Sequence, residues 1–198
     1  MLSRAHIGVG VAAALAVVRP ADAVGCVVCA LGAAAGSLIC DIDVRPSERR
    51  HDLFVAGMAL VAVVCVLFAY DLGRGAQLTS SVVAHFGPEA VTGALVFVGT
   101  CVLGALMPHR TFAHSLVALA LWSASLRVLA PALSIPFAVG VASHLLLDLT
   151  TKRGIQLFWP LKTEVSLGLW KSDGFMNNVL AILGLCTVVV LFAMGVMG

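Results

Sequence analysis

The sequence predicts an all-α fold: a polytopic helical membrane bundle of about seven apolar helices with a short first helix. Three observations predict it. The chain is 61% hydrophobic and only 11% charged. Its mean hydropathy of +1.06 is far from that of a soluble domain. Apolar runs of about 18–20 residues, long enough to cross a bilayer, recur along it, and the charges collect between them. At 198 residues the chain suits one domain, a single integral-membrane unit over residues 1–198. The net charge of +2 is too small to imply nucleic-acid binding.

The first run, Ile7–Val18, covers only about 18 Å at 1.5 Å per residue, so it makes a short helix extended by the stems of Arg4 and Arg19. The same stretch, with Ala21-Asp22-Ala23 after it, also fits a cleavable signal peptide, which would remove residues 1–23. Ala23–Cys40 is the second run, rich in the Gly and Ala that allow close helix packing in lipid. It ends in Asp41-Ile42-Asp43 and a charged loop holding Arg45, Arg49, Arg50 and His51. Leu53–Tyr70 is the third run and Ala90–Met107 the fourth. Phe112–Ala130 is the fifth, with Thr111 as its expected N-cap and His114 in its first turn. Pro131 and Pro136 mark the next turn, and the sixth run reaches Leu149. Thr150–Asn178 is the longest polar segment. Its tryptophans and lysines suit a membrane interface. Val179–Met197 is the last run. The six cysteines lie almost wholly in apolar runs and read as small packing residues, with no disulfide framework.

His109-Arg110-Thr111-Phe112-Ala113-His114-Ser115 is the densest chemical stretch of the chain. His109 on the lead-in and His114 at the helix start can turn both rings to one point. His144 and Asp148, four apart, share a helix face inside an apolar run, where ionisable groups are costly and usually functional. Asp41 and Asp43 end another run. Numbering the membrane sides span by span puts His6, Asp41, Asp43, His109, His114, His144 and Asp148 at one face. Nine of the twelve basic residues fall at that face as well, leaving Arg19, Arg74 and Arg127 at the other. The positive-inside rule then makes the polar cluster and the N-terminus cytoplasmic and the C-terminus external.

Mixed imidazole and carboxylate ligands suit Zn, Mn or Fe more than Mg, and seven candidates leave room for one or two ions. Such an ion can activate water or polarise a phosphoryl or carbonyl oxygen. Asp43, Asp41 or Asp148, where not used as a ligand, is then a candidate general base, and Arg110 a candidate holder of an anionic group. His51 reads as solvated, His85 falls at the opposite face, and Ser115 lacks a nucleophile elbow around it.

His6, Asp41-Ile42-Asp43, His109-Arg110-x-x-x-His114-Ser115, Ser143-His144-x-x-x-Asp148-x-x-Thr151-x-x-Gly154 and Leu157-Phe158-Trp159-Pro160 stand in this order. In them the chain resembles the YdjM/YbcI-type family of bacterial and archaeal inner-membrane proteins described as metal-dependent hydrolases. The resemblance implies a multi-pass inner-membrane protein with metal ligands at His6, Asp41, Asp43, His109, His114, His144 and Asp148. It also suggests a distant relation to zinc-dependent phospholipase C proteins. Cys40 stands where the family often has proline, and Ala113 where threonine is common. The expectation is a hydrolase acting at the inner leaflet on a lipid-like phosphoester or ester, with membrane lipids as its partners. A transporter or channel for a metal or small ion is the alternative, and a structural ion site the third reading. The substrate, the metal and the oligomeric state are not legible in the sequence.

Overall fold

A computed structural model of the chain describes residues 3–44, 84–171 and 175–197. Among these, six α-helices carry the fold: α1 (Ser3–Val18), α2 (Ala23–Ile39), α3 (Pro88–Leu106), α4 (Leu116–Leu129), α5 (Pro131–Leu149) and α6 (Met176–Met197). Two 3-10 turns, Cys40–Asp43 and Phe112–His114, stand at the ends of α2 and before α4. The described residues contain no β-strand, only two isolated bridges, Thr151 with Trp170 and Ile155 with Val165.

The expectation of about seven apolar helices overstates the number of spans. Among the described residues, four helices are long and apolar enough to cross a membrane: Ala23–Asp43, Pro88–Leu106, Pro131–Leu149 and Met176–Gly195. The first and fifth apolar runs form shorter helices, Arg4–Val18 and Leu116–Leu129. Fourteen residues of α4 rise about 21 Å, well short of a hydrocarbon core of about 30 Å. The third run, Leu53–Tyr70, lies outside the described residues.

The start of α4 also differs from the sequence expectation. Phe112–His114 is a 3-10 turn, and Ser115, not Thr111, is the N-cap, its hydroxyl accepting from the Ala118 N–H at 3.2 Å. The Ser115 hydroxyl in turn donates to the Phe112 carbonyl at 2.6 Å. Both residues are capable N-caps. Ser115 prevails because it is followed directly by the apolar stretch that packs, while the Thr111 hydroxyl is turned back onto the Pro108 carbonyl.

α2 lies against α5, and α1 packs against α2, α5 and α6. Small residues set these distances. A Cβ at Gly36 would collide with the Phe137 carbonyl, and one at Gly140 with the Ala33 carbonyl, so the α2 and α5 backbones touch. In lipid, where no hydrophobic force drives helices together, such contact supplies the packing energy. Gly8 meets Gly184, and Gly195 lies against Cys26 and Pro20, so α6 runs parallel to α1. The α1 N-terminus, the α2 C-terminus and the α5 C-terminus therefore share one end of the bundle, and α6 finishes at the other. Residues 150–171 fold back as a strap across the first of these ends. Their backbone bonds run from Leu167 N–H to the Leu149 carbonyl, from Leu169 N–H to that of Thr150, and from Lys152 N–H to that of Trp170, at 2.8–3.0 Å.

Candidate metal centre

The seven candidate side chains come from four separate stretches of the chain and converge at that end. His6 is one turn into α1. Asp41 and Asp43 sit on the 3-10 turn that finishes α2. His109 and Arg110 precede the second 3-10 turn, which carries His114. His144 and Asp148 lie on the last two turns of α5. His6, His114, His144 and Asp148 are each no more than 1% exposed, whereas the Asp41 side chain is 25% and the His109 side chain 38% exposed. The cluster thus has a sealed floor and an open rim.

Four ligand atoms face one another, three from the floor and Asp41 Oδ1 from the rim. His114 Nε2 is 3.4 Å from Asp148 Oδ2 and 4.0 Å from Asp41 Oδ1. His144 Nε2 is 3.6 Å from Asp148 Oδ2 and 3.7 Å from Asp41 Oδ1. A tetrahedral shell with bonds of about 2.0–2.1 Å has edges of roughly 3.3–3.4 Å, and these four imidazole–carboxylate separations approach that length. The donor chemistry agrees. His144 Nδ1 donates to the Ser37 carbonyl at 2.7 Å, which leaves the lone pair of the neutral ring on Nε2. His144 Nε2 and His6 Nδ1 are buried without a hydrogen-bond partner, and the buried His114 Nε2 faces only carboxylate oxygens. Buried nitrogens left unbonded are costly, and a cation is the occupant that satisfies several at once. His6 stacks on His144 with ring centroids 3.7 Å apart, and its Nε2 lies 3.5 Å from Asp148 Oδ1. Three overlapping groups can hold a metal ion: His6, His144 and Asp148; Asp41, His114 and His144; Asp43, His109 and His114.

Asp43 differs from Asp41 in its surroundings. Its Oδ1 accepts from His109 Nδ1 at 2.6 Å, and its Oδ2 accepts from the Arg110 backbone N–H at 3.0 Å and lies 3.2 Å from His114 Nδ1. A carboxylate on the far nitrogen of an imidazole fixes the ring and raises its basicity. Asp43 stands behind His114 and His109 in that position.

His114, on the turn outside the spanning helices, titrates abnormally. Burial disfavours its charged form, but the carboxylates of Asp148 and Asp43 outweigh this and raise it to about 9. Without a metal, the ring is therefore protonated at neutral pH and balances the two carboxylates.

Arg110 holds protein rather than open space. Its guanidinium donates to the Gly154 carbonyl at 2.9 Å and to the Thr151 hydroxyl at 3.3 Å, and lies 3.5 Å from Asp148 Oδ2. Its backbone is left-handed at φ 69°, a conformation costly for a side chain with a Cβ. Two bonds hold it there: the N–H on Asp43, and the carbonyl accepting from Gln156 N–H at 3.0 Å. The expected anion-holding side chain is thus the tie between the histidine turn and the strap. His51 lies outside the described residues, and His85 packs beside Phe86 away from the cluster.

Two participants escaped the sequence reading. The Ser37 carbonyl is a backbone group on α2, brought to His144 only by helix packing, so no residue type could announce it. Asn178 accepts from the Arg4 guanidinium at 2.7 Å, tying the starts of α1 and α6 beside His6. Its signal was a polar pair, Asn177-Asn178, at the mouth of an apolar run.

Fold and site together define a helical membrane protein with a buried His/Asp cluster at one end that can hold a metal ion. The chain belongs to the YdjM inner membrane protein family, whose model matches residues 1–197. It is also 34% identical, over 86 residues, to the uncharacterized protein YvsG of Bacillus subtilis (strain 168). That match covers 42% of this chain and spans about half, 54%, of the length of the relative. No solved structure matches the chain.

Proposed function

We propose that the protein is a metal-dependent hydrolase working at the cytoplasmic face of the inner membrane, on a phosphoester or ester bond of a lipid-like substrate. The observation that carries this reading is the set His114 Nε2, His144 Nε2, Asp41 Oδ1 and Asp148 Oδ2, with separations of 3.4–4.0 Å, under an open rim. A divalent ion bound there supplies a Lewis acid that acidifies water and polarises a phosphoryl or carbonyl oxygen. The softness of two imidazoles beside carboxylates favours Zn, Mn or Fe over Mg. Asp41, a quarter exposed at the rim, would be the ligand best placed to yield to substrate. His109 is the exposed base. With Nδ1 on Asp43, its Nε2 can take a proton from the attacking water, and Asp43 holds the ring in place. Arg110 keeps the strap closed over the Asp148 side and excludes water there.

The location supports an amphiphilic substrate, because a bond at a helix end can be reached while an acyl chain stays in lipid. It also weighs against a transporter, whose ligands would be expected near the bilayer midplane at broken helices. Among the described residues, Arg4, Arg110, Lys152, Arg153, Lys162 and Lys171 stand at the end of the cluster and Arg19 and Arg127 at the other, which supports a cytoplasmic cluster and an external C-terminus. The test is metal analysis of the purified protein beside Asp41→Ala and His144→Ala, run with a screen of phosphoester and lipid-ester hydrolysis. Bound metal that both substitutions remove, with hydrolysis by the wild type alone, is the expected result. Metal content indifferent to both sinks the site. Bound metal with ion flux into vesicles and no hydrolysis makes the protein a transporter.

A further inference from the structure

The strap over residues 150–171 does more than cover the cluster. It begins where α5, a spanning helix, ends at Leu149, so it stands at the edge of the bilayer. Its backbone is fixed at both sides: on the last residue of α5 by the Leu167 N–H, and on the histidine turn and the start of α4 through Gln156 to Arg110 and Leu116 to Leu157, both at 3.0 Å. Trp159 packs edge-on against the buried Phe112 with ring centroids 5.1 Å apart, which couples the strap to the turn carrying His114. The outer side is held rigid in an unusual composition. Phe158, Leu161, Leu167 and Leu169 are 51–63% exposed. Lys152, Arg153, Lys162 and Lys171 are exposed among them, against one acidic residue, Glu164, a net charge of +3 from four minus one.

We infer that this strap is a docking surface for anionic lipid headgroups, lying in the bilayer interface beside the His/Asp cluster. The chemistry on each level fits one occupant. Apolar side chains on a segment at the bilayer edge enter the acyl boundary, while lysine and arginine stems carry their charges back to the phosphate layer. Tryptophans stand at the same depth by preference. Cations placed so attract anionic lipid, and the attraction decays within a Debye length of the surface. A neutral, zwitterionic surface would satisfy the leucines and leave the net charge of +3 without a net counter-charge. The inference rests on the strap alone and holds whether or not the cluster hydrolyses anything.

The test uses the full chain in nanodiscs of phosphatidylcholine containing either brominated phosphatidylglycerol or brominated phosphatidylcholine at equal fraction. Bromine quenches Trp159 and Trp170 on the strap, while Trp122, fully buried in the bundle, gives a constant background. The expected result is quenching about threefold or more stronger by the anionic lipid, lost in the variant K152Q/R153Q/K162Q/K171Q. Should that variant fold poorly, the wild type itself decides. Raising salt to about 1 M shortens the screening length to about 3 Å and should erase the preference. Equal quenching by both lipids, or a preference that survives high salt, overturns the proposal.

Discussion

Two carboxylates one residue apart carry different work because their oxygens meet different atoms. Asp41 Oδ1 faces the Nε2 atoms of His114 and His144, while both oxygens of Asp43 face donors: His109 Nδ1, the Arg110 N–H and His114 Nδ1. Asp43→Asn is therefore expected to keep the metal stoichiometry and weaken affinity by about 10–100-fold, the usual cost of losing an orienting carboxylate. Asp41→Ala should lose the ion. Titration against a chelator of known affinity separates the two outcomes, and loss of stoichiometry in Asp43→Asn would make Asp43 a ligand. His114 adds a pH dependence. Its proton, held to about 9, must leave before Nε2 can bind a cation. Affinity should thus climb by about tenfold per pH unit between roughly 7 and 9 and level off above, where no proton remains to displace. The metal-free protein changes in the opposite sense. The ion pairs of His114 with Asp148 and Asp43 contribute fully below the ordinary histidine range near 6.5 and are lost as pH rises through about 9. An affinity that is flat from pH 7 to 9 would show that His114 does not take part.

At the scale of elements, the cluster depends on how closely α2 meets α5. Ser37, whose carbonyl fixes the His144 tautomer, lies one residue after Gly36, and Gly36 and Gly140 are where the two backbones touch. Gly140→Val would push the helices apart at the Ala33 carbonyl. The expected cost is about 1–3 kcal/mol of stability, as for overpacking elsewhere, together with weaker metal binding as His144 moves off Ser37. Thermal unfolding in detergent measures the first and the chelator titration the second. Gly99→Ala on α3 is the control, since a Cβ there meets nothing within 4 Å and alanine favours the helix. Equal melting temperatures for the two variants would deny the close approach its role. The strap depends on Arg110 in the same way. Lysine keeps the charge but cannot span the Gly154 carbonyl, Thr151 and Asp148 with one planar fork. Arg110→Lys should therefore speed proteolysis within residues 150–171 several-fold, read on gels of vesicle-bound protein.

For the whole molecule, the geometry places the cluster and the strap at one end and the close of α6 at the other. The proposed orientation turns this into sides of a membrane. A cysteine introduced at Lys162 should react with an impermeant maleimide only in inverted vesicles, and one at Ala132 in the first turn of α5 only in right-side-out vesicles. The reverse pattern would turn the bundle over and put the His/Asp cluster outside the cell, and the charge count would have misled. The parallel run of α1 and α6, seen in the approaches of Gly8 to Gly184 and Gly195 to Cys26, does not depend on which side is which.

The sequence by itself determined the class of the molecule, because apolar runs and isolated polar residues within them obey the cost of exposing backbone and charge to lipid, which is a local property. The pair His144 and Asp148 was legible for the same reason: helix periodicity alone puts them on one face. The number of true spans was not, since composition cannot tell where a helix starts, and Ser115 rather than Thr111 decided the length of α4. Nor could spacing divide the polar side chains into roles. Asp41 and Asp43 are the same residue on the same turn, and Arg110 looked free to meet an anion. Only the packing of α1, α2 and α5 with the folded strap decided which oxygen faces an imidazole lone pair, which faces an N–H, and which carbonyl fills the guanidinium. These are contacts between segments far apart in the chain, and no local preference encodes them.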